Sequence, residues 1–319
     1  MTATLNRIVH PDVNYSVETG HRKIGLGIGA VALMIGMVVA GLGIHAASLV
    51  GTAGEEETLG QVLAIAFGLN TMALVMLKSA IAIILVGILV RIWLRVESVK
   101  TALPALKADG EVGTVKTGDV DTEFGPATVS AKVPARMQIH KMANTMWGPM
   151  LLMGVMSVFA GLVVSLVWAA NVGTDAGLDA RAWTQGLHFF GEGLVLASIS
   201  FLLASILSAL REGGGEVQEA LGLPVMTLKM PSTAKAFIVL MAMSMMILIA
   251  AVIAHVVVGV QINAENLSLV DAEQWDLWLE AARRFAVELY LFAIALGLGT
   301  IIYVIRFQSI RIREVANAS

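Results

Sequence analysis

Cysteine is absent from this 319-residue chain. Disulfides, thiolate metal sites, iron–sulfur clusters and thiol nucleophiles are therefore excluded. Charge is scarce as well: Asp, Glu, Lys and Arg make up 14% of the residues, against about 25% in a typical globular protein. The net charge is −3 and no Lys/Arg-rich run occurs, so the chain carries no electrostatic footprint for nucleic acid. A phosphate-binding Gly-x-x-x-x-Gly-Lys-Ser/Thr loop is missing, as is any recognisable serine–histidine–aspartate set. No catalytic residues, and hence no enzyme activity, can be read from the chain.

Apolar sequence is what the chain has in abundance, at 57% of residues. It is concentrated in six stretches, near Ile24–Val50, Leu59–Val90, Ala143–Ala170, Leu187–Leu210, Ala236–Val260 and Phe285–Ile305. Each holds about 20 or more largely uncharged residues, enough to cross about 30 Å of hydrocarbon at 1.5 Å per residue. Hydrocarbon offers no water to satisfy backbone groups, so these stretches must be helices. The expected fold class is all-α: a polytopic bundle of six transmembrane helices in three tandem hairpins. The first stretch is too long for a signal-peptide core, so the first helix is expected to insert the chain and stay in the membrane.

Orientation follows from the basic residues. Seventeen of the 21 lysines and arginines fall in the N-terminal segment, the 91–141 region, the 211–235 region and the tail. Arg181, Arg283 and Arg284 fall in the opposite loops, which are acidic. The positive-inside rule puts both termini in the cytoplasm, of a bacterial cytoplasmic membrane. The expected organisation is a cytoplasmic segment at 1–23, a first hairpin at 24–96, a cytoplasmic loop at 97–142 and a second hairpin at 143–211. A loop at 212–235, a third hairpin at 236–306 and a tail at 307–319 follow. The outer segment 263–284 reads as an interfacial amphipathic helix near Ala272–Ala282, with Trp275, Trp278 and Leu279 as its apolar face. A small β-hairpin is expected around Ala127–Val133. The two cytoplasmic loops are candidate docking sites for a soluble partner, and other membrane subunits are expected partners.

The hairpins resemble one another. Gly125, Ser130, Lys132 and Pro134 stand at the same spacing as Gly222, Thr227, Lys229 and Pro231. Trp183, Phe190, Leu194 and Arg211 match Trp278, Phe285, Leu289 and Arg306. Ile44-His45 and Ala254-His255 fall at equivalent points of helices one and five. Together they read as an internal repeat.

Polar side chains in a bilayer are costly, so each one needs a reason. The set is His45, Asn70, Lys78, His188, Glu192, His255 and Glu288. His45, His188, Glu192, His255 and Glu288 share the outer third of the spans. His45 and His255 at matched depth read as axial ligands of a haem b. Alternatively His45, His188 and His255, with Glu192 and Glu288, read as a copper or zinc site. Interfacial histidines held by ordinary hydrogen bonds are the plainer explanation. Asn70, Lys78 and Glu192 sketch a proton or ion path, or else a buried pair that braces the bundle. His10, His21 and His140 read as solvated residues.

Three functions follow. The matched histidines favour a membrane subunit of a redox or metalloenzyme complex with its centre near the outer face. A scaffold or accessory subunit and an ion- or solute-coupled transporter are the alternatives.

Overall fold

The computed structural model describes residues 16–102, 117–122, 125–263 and 269–318. Six helices in it are long and apolar enough to cross a membrane, as expected of an integral membrane protein. They are α1 (Ser16–Leu49), α2 (Glu56–Ala102), α3 (Gln138–Ala170), α4 (Asp175–Ala220), α5 (Ser232–Asn263) and α6 (Leu269–Ala318). Local signals set their starts. Glu56 and Glu57 lie in the first turn of α2, where the helix dipole favours negative charge. Thr174 caps α4 by accepting a hydrogen bond from the Gly177 N–H at 3.2 Å, with Asp175 in the first turn. His10 and segment 1–15 lie outside the described residues.

Short and long helices alternate. α1, α3 and α5 have 34, 33 and 32 residues, whereas α2, α4 and α6 have 47, 46 and 50. A helix of that second length measures about 70 Å, more than twice the hydrocarbon thickness of about 30 Å. α4 therefore stays helical well past Arg211, and α6 past Arg306, where loop and tail were expected. Segment 269–284 is likewise the start of α6 rather than a separate interfacial helix, with Leu279 buried and Trp278 75% exposed.

α4 is the central element. Of its most apolar stretch 89% is buried, against 11% for α1. α1 packs on α2, α3 on α4, and α5 on α6; α2 also packs on α3 and α4, and α4 on α5 and α6. Lys78 and Val96 of α2 meet Glu192 and Gly213 of α4 in the same order, so these two helices run side by side in one direction. The core follows α4, with Leu196, Leu202, Leu203 and Ile206 set against Leu89, Phe237 and Tyr290.

A three-stranded antiparallel sheet adds to the helices outside the spans. Its strands are β1 (Gly118–Thr122), β2 (Gly125–Ser130) and β3 (Val225–Leu228), in the order β1-β2-β3. The first two form a hairpin, and β3 arrives from the other loop. Gly125 at φ 115° and Gly222 at φ 72° turn the chain into β2 and towards β3, a conformation glycine adopts without steric penalty. Val129 pairs with Met226, its own counterpart in the repeat. The two matched segments thus meet each other about a local two-fold. Around the sheet, Gln218 of α4 accepts the Met226 N–H at 3.1 Å, and Arg136 and Glu212 form a forked ion pair. On the exposed edge Lys229 donates to Asp119 at 2.6 Å, which holds the Asp119 carboxyl below its ordinary range.

The crossing of α3 and α4 is backbone on backbone. A Cβ on Gly191 would sit 2.6 Å from the Gly154 carbonyl oxygen, and one on Gly154 would sit 2.8 Å from that of Gly191. Gly191→Leu is expected to destabilise the protein by about 2–3 kcal/mol through overpacking. Gly36→Leu, in open space on α1, is expected to be neutral. Thermal unfolding in detergent compares the two.

Candidate functional site

Of the seven polar residues that the sequence places in the membrane, the structure joins two directly. Lys78 of α2 and Glu192 of α4 form an ion pair through Nζ and Oε1, and both side chains are largely shielded. Lys78 lies 13 residues before Arg91, about 20 Å along the helix axis. Cα–Cβ bonds tilt towards the helix N-terminus, so its stem leans further from Arg91 and towards the depth of Glu192. An isolated charge near the bilayer centre costs about 2.5–3.5 kcal/mol on insertion scales, and far more on an unsupported helix. Each ion here offsets much of that cost for the other.

His188 lies one turn from Glu192 on the same side of α4 and is fully buried. It occupies a slot that glycine creates: a Cβ on Gly161 of α3 would run into the imidazole. Phe67 of α2 stacks on the ring at 5.6 Å between centroids. The Val158 backbone carbonyl of α3 is the polar group nearest the ring, and neither Nδ1 nor Nε2 makes a well-formed hydrogen bond. A buried polar atom without a good partner is destabilising by about 1–3 kcal/mol, so the imidazole keeps hydrogen-bonding capacity to spare inside the spans. Ser157 Oγ, donating to the Leu187 carbonyl at 2.8 Å, ties α3 to α4 beside it.

His255 of α5 is buried on another side of α4, against Gly186 and 6.1 Å from the Phe189 ring. Arg283, paired with Glu280 at 3.4 Å, acts electrostatically on both His188 and His255. Below Glu192, α4 buries Ser198, Ser200, Ser205 and Ser208. Three of these donate, to Trp147 and Leu196 carbonyls and to Glu212, while Ser205 Oγ is unpartnered.

The other expected residues stand apart. His45 is exposed on α1, a helix that forms no substantial interface with α5, so the haem-ligand pair is not brought together. Glu288 is exposed on α6 and Asn70 on α2. Among the described residues no group of three or more His, Asp or Glu is placed to hold a metal ion. The expected path thus keeps Lys78 and Glu192, loses Asn70 and gains His188.

His140 requires a correction. It is not a solvated loop residue: it is half-buried at the start of α3, its Nδ1 enclosed and unpartnered, at the wall of a cavity under the sheet. His21 is half-buried against Gly87 of α2. Sequence reasoning also missed Phe67, because an aromatic in an apolar helix gives no sign of which ring it will cover.

Comparison with protein-family models, with curated proteins and with solved structures found no match for this chain.

Removing one member of a buried pair strands the other, at about 3–5 kcal/mol, whereas replacing both by apolar residues is close to neutral or stabilising. Glu192→Gln is therefore expected to lower the thermal unfolding temperature in detergent. Lys78→Met combined with Glu192→Leu is expected to recover most of that loss. A double variant no more stable than the single would show that the two charges do not depend on each other.

Proposed function

We propose that this chain is a proton-translocating membrane protein whose titratable gate is the Lys78–Glu192 pair, with His188 as the neighbouring carrier. The ion pair carries the reading, because it is the one place where candidate residues meet inside the spans. A bundle needs no such pair for stability, since packed apolar side chains of similar volume do as well or better. The proton is the favoured ion. Lys78 repels metal cations from Glu192, and a single carboxylate falls short of the oxygen cage that a hard cation requires. Lysine, glutamate and histidine all exchange protons, and the buried His188 ring lies within a turn of Glu192.

Protonation of Glu192 discharges the carboxylate and leaves Lys78 as a lone cation in hydrocarbon. That state is high in energy until the proton passes to His188 or Lys78 gives up its own. A pair of this kind biases α2 against α4, which are the parallel neighbours at the centre of the bundle. The excess of basic residues at the sheet end supports a cytoplasmic side there for both termini, in what we read as a bacterial cytoplasmic membrane, with His188 towards the outer face. The contact pattern supports three tandem hairpins: α2 packs on both helices of the next pair, and α4 does the same one pair later. Such repeats share one orientation, unlike the inverted repeats of many carriers. The exposed small residues Ala40 and Gly43 on α1 favour a second reading within this one, that of a subunit in a larger membrane complex.

Proteoliposomes containing the full chain, with an imposed potential and an internal pH dye, test the proposal. Wild type is expected to carry protons, Lys78→Met/Glu192→Leu to lose at least tenfold of the rate, and Asn70→Ala to keep it. An inert wild type, or a double variant as active as wild type, contradicts the proposal.

A further inference from the structure

A second site lies at the sheet end of the bundle, away from the ion pair. A cavity of about 350 Å3 opens beneath β2 and β3, between the first turn of α3, the lower part of α4, the start of α5 and the end of α6. Its two halves differ in chemistry. Towards the sheet it is lined by His140, Arg211, Thr227, Lys229 and Arg311, and no carboxylate is among its lining residues. Towards the membrane it is lined by Leu207, Phe237, Ile238, Met241 and Val304. α3 and α5, which form two of its walls, share no substantial interface.

Three side chains at the polar half have buried atoms without hydrogen-bond partners: Thr227 Oγ1, His140 Nδ1 and Arg211 Nε. They come from three elements, α3, α4 and β3, and they make up three of the nine such atoms among the described residues. Thr227 is only 5% exposed, so bulk water does not satisfy it. Arg311 helps shape the roof: its Nε donates to the Met226 carbonyl of β3 at 2.9 Å and one terminal nitrogen to the Arg211 carbonyl at 3.2 Å. With Lys229 engaged by Asp119, Arg211 and Arg311 supply the positive charge of a built cluster.

We infer that this cavity binds an anionic phospholipid: the phosphate accepts hydrogen bonds from Arg211 and Thr227 beside His140, and an acyl chain lies along Phe237 and Met241. Basic pockets between helix ends suit lipid phosphates, and charge-assisted bonds to arginine are the strongest available there. The apolar half distinguishes an amphiphile from a free phosphate ion. The site joins both halves of the internal repeat, because His140 follows the first matched segment and Thr227 belongs to the second. An occupied site would fasten β3 and the ends of α3 and α5 together.

Native mass spectrometry of the full chain tests this with phosphatidylglycerol, with phosphatidylcholine of the same acyl chains, and with glycerol phosphate. The expected result is one phosphatidylglycerol retained per chain, at least tenfold tighter than phosphatidylcholine and not displaced by glycerol phosphate. Arg211→Gln is expected to weaken it about tenfold, one charge-assisted hydrogen bond lost. Thr227→Val, which keeps shape and strand propensity, is expected to weaken it several-fold with the unfolding temperature of the lipid-free protein unchanged. Equal retention of both lipids, or retention unaltered in both variants, overturns the inference. Displacement by glycerol phosphate overturns the amphiphile in favour of a soluble phosphate ligand.

Discussion

Hydrocarbon tolerates a charge only beside its opposite, and this requirement links Lys78 to Glu192 across two helices that run in one direction. Much of the bundle is arranged around that contact. α4 must lie near enough to α2 for the two side chains to meet, and its glycines let α3 press against it from another side. The Gly154–Gly191 crossing and the Gly161 slot place His188 within a turn of the carboxylate. The same buried position that makes the pair necessary denies it to water, so any proton reaching Glu192 must travel through side chains or a few ordered waters. Stability and function thus draw on one interaction. Apolar replacement separates them, since the bundle can do without the charges and the proposed chemistry cannot.

The sheet is the second fastening. Long helices overshoot the spans at one end and need lateral support there, because lipid no longer confines them. Two loops with the same Gly-to-Lys-x-Pro frame supply it by pairing with each other at Val129 and Met226. Arg311 from the last helix caps the arrangement through backbone carbonyls of β3 and α4. Beneath this roof the helices leave the cavity whose charge and unpartnered atoms suit a lipid phosphate.

The sequence discloses the spans because twenty apolar residues in a row have one physical solution in a bilayer. It also discloses the repeated frame, and that Lys78 is too deep to reach water by its own length. It does not disclose partners. Which carboxylate meets Lys78 depends on rotations of α2 and α4 that apolar composition all round leaves undetermined, and Asn70, eight residues earlier, turned to the exposed side. His45 and His255 match in depth, but depth says nothing of lateral neighbours; α1 packs on α2 and α5 on α4 and α6. His140 was misread for a similar reason. A polar residue beside a span looks solvated until a strand from a distant loop covers it.

The central claim is that opposite charges at positions 78 and 192 need each other within the membrane, and a charge exchange tests it most directly. Lys78→Glu and Glu192→Lys are each expected to place like charges together and to lower the yield of folded protein and its unfolding temperature sharply. The account predicts that both changes in one chain restore much of what either alone removes. An exchanged chain no better than the single variants would contradict it.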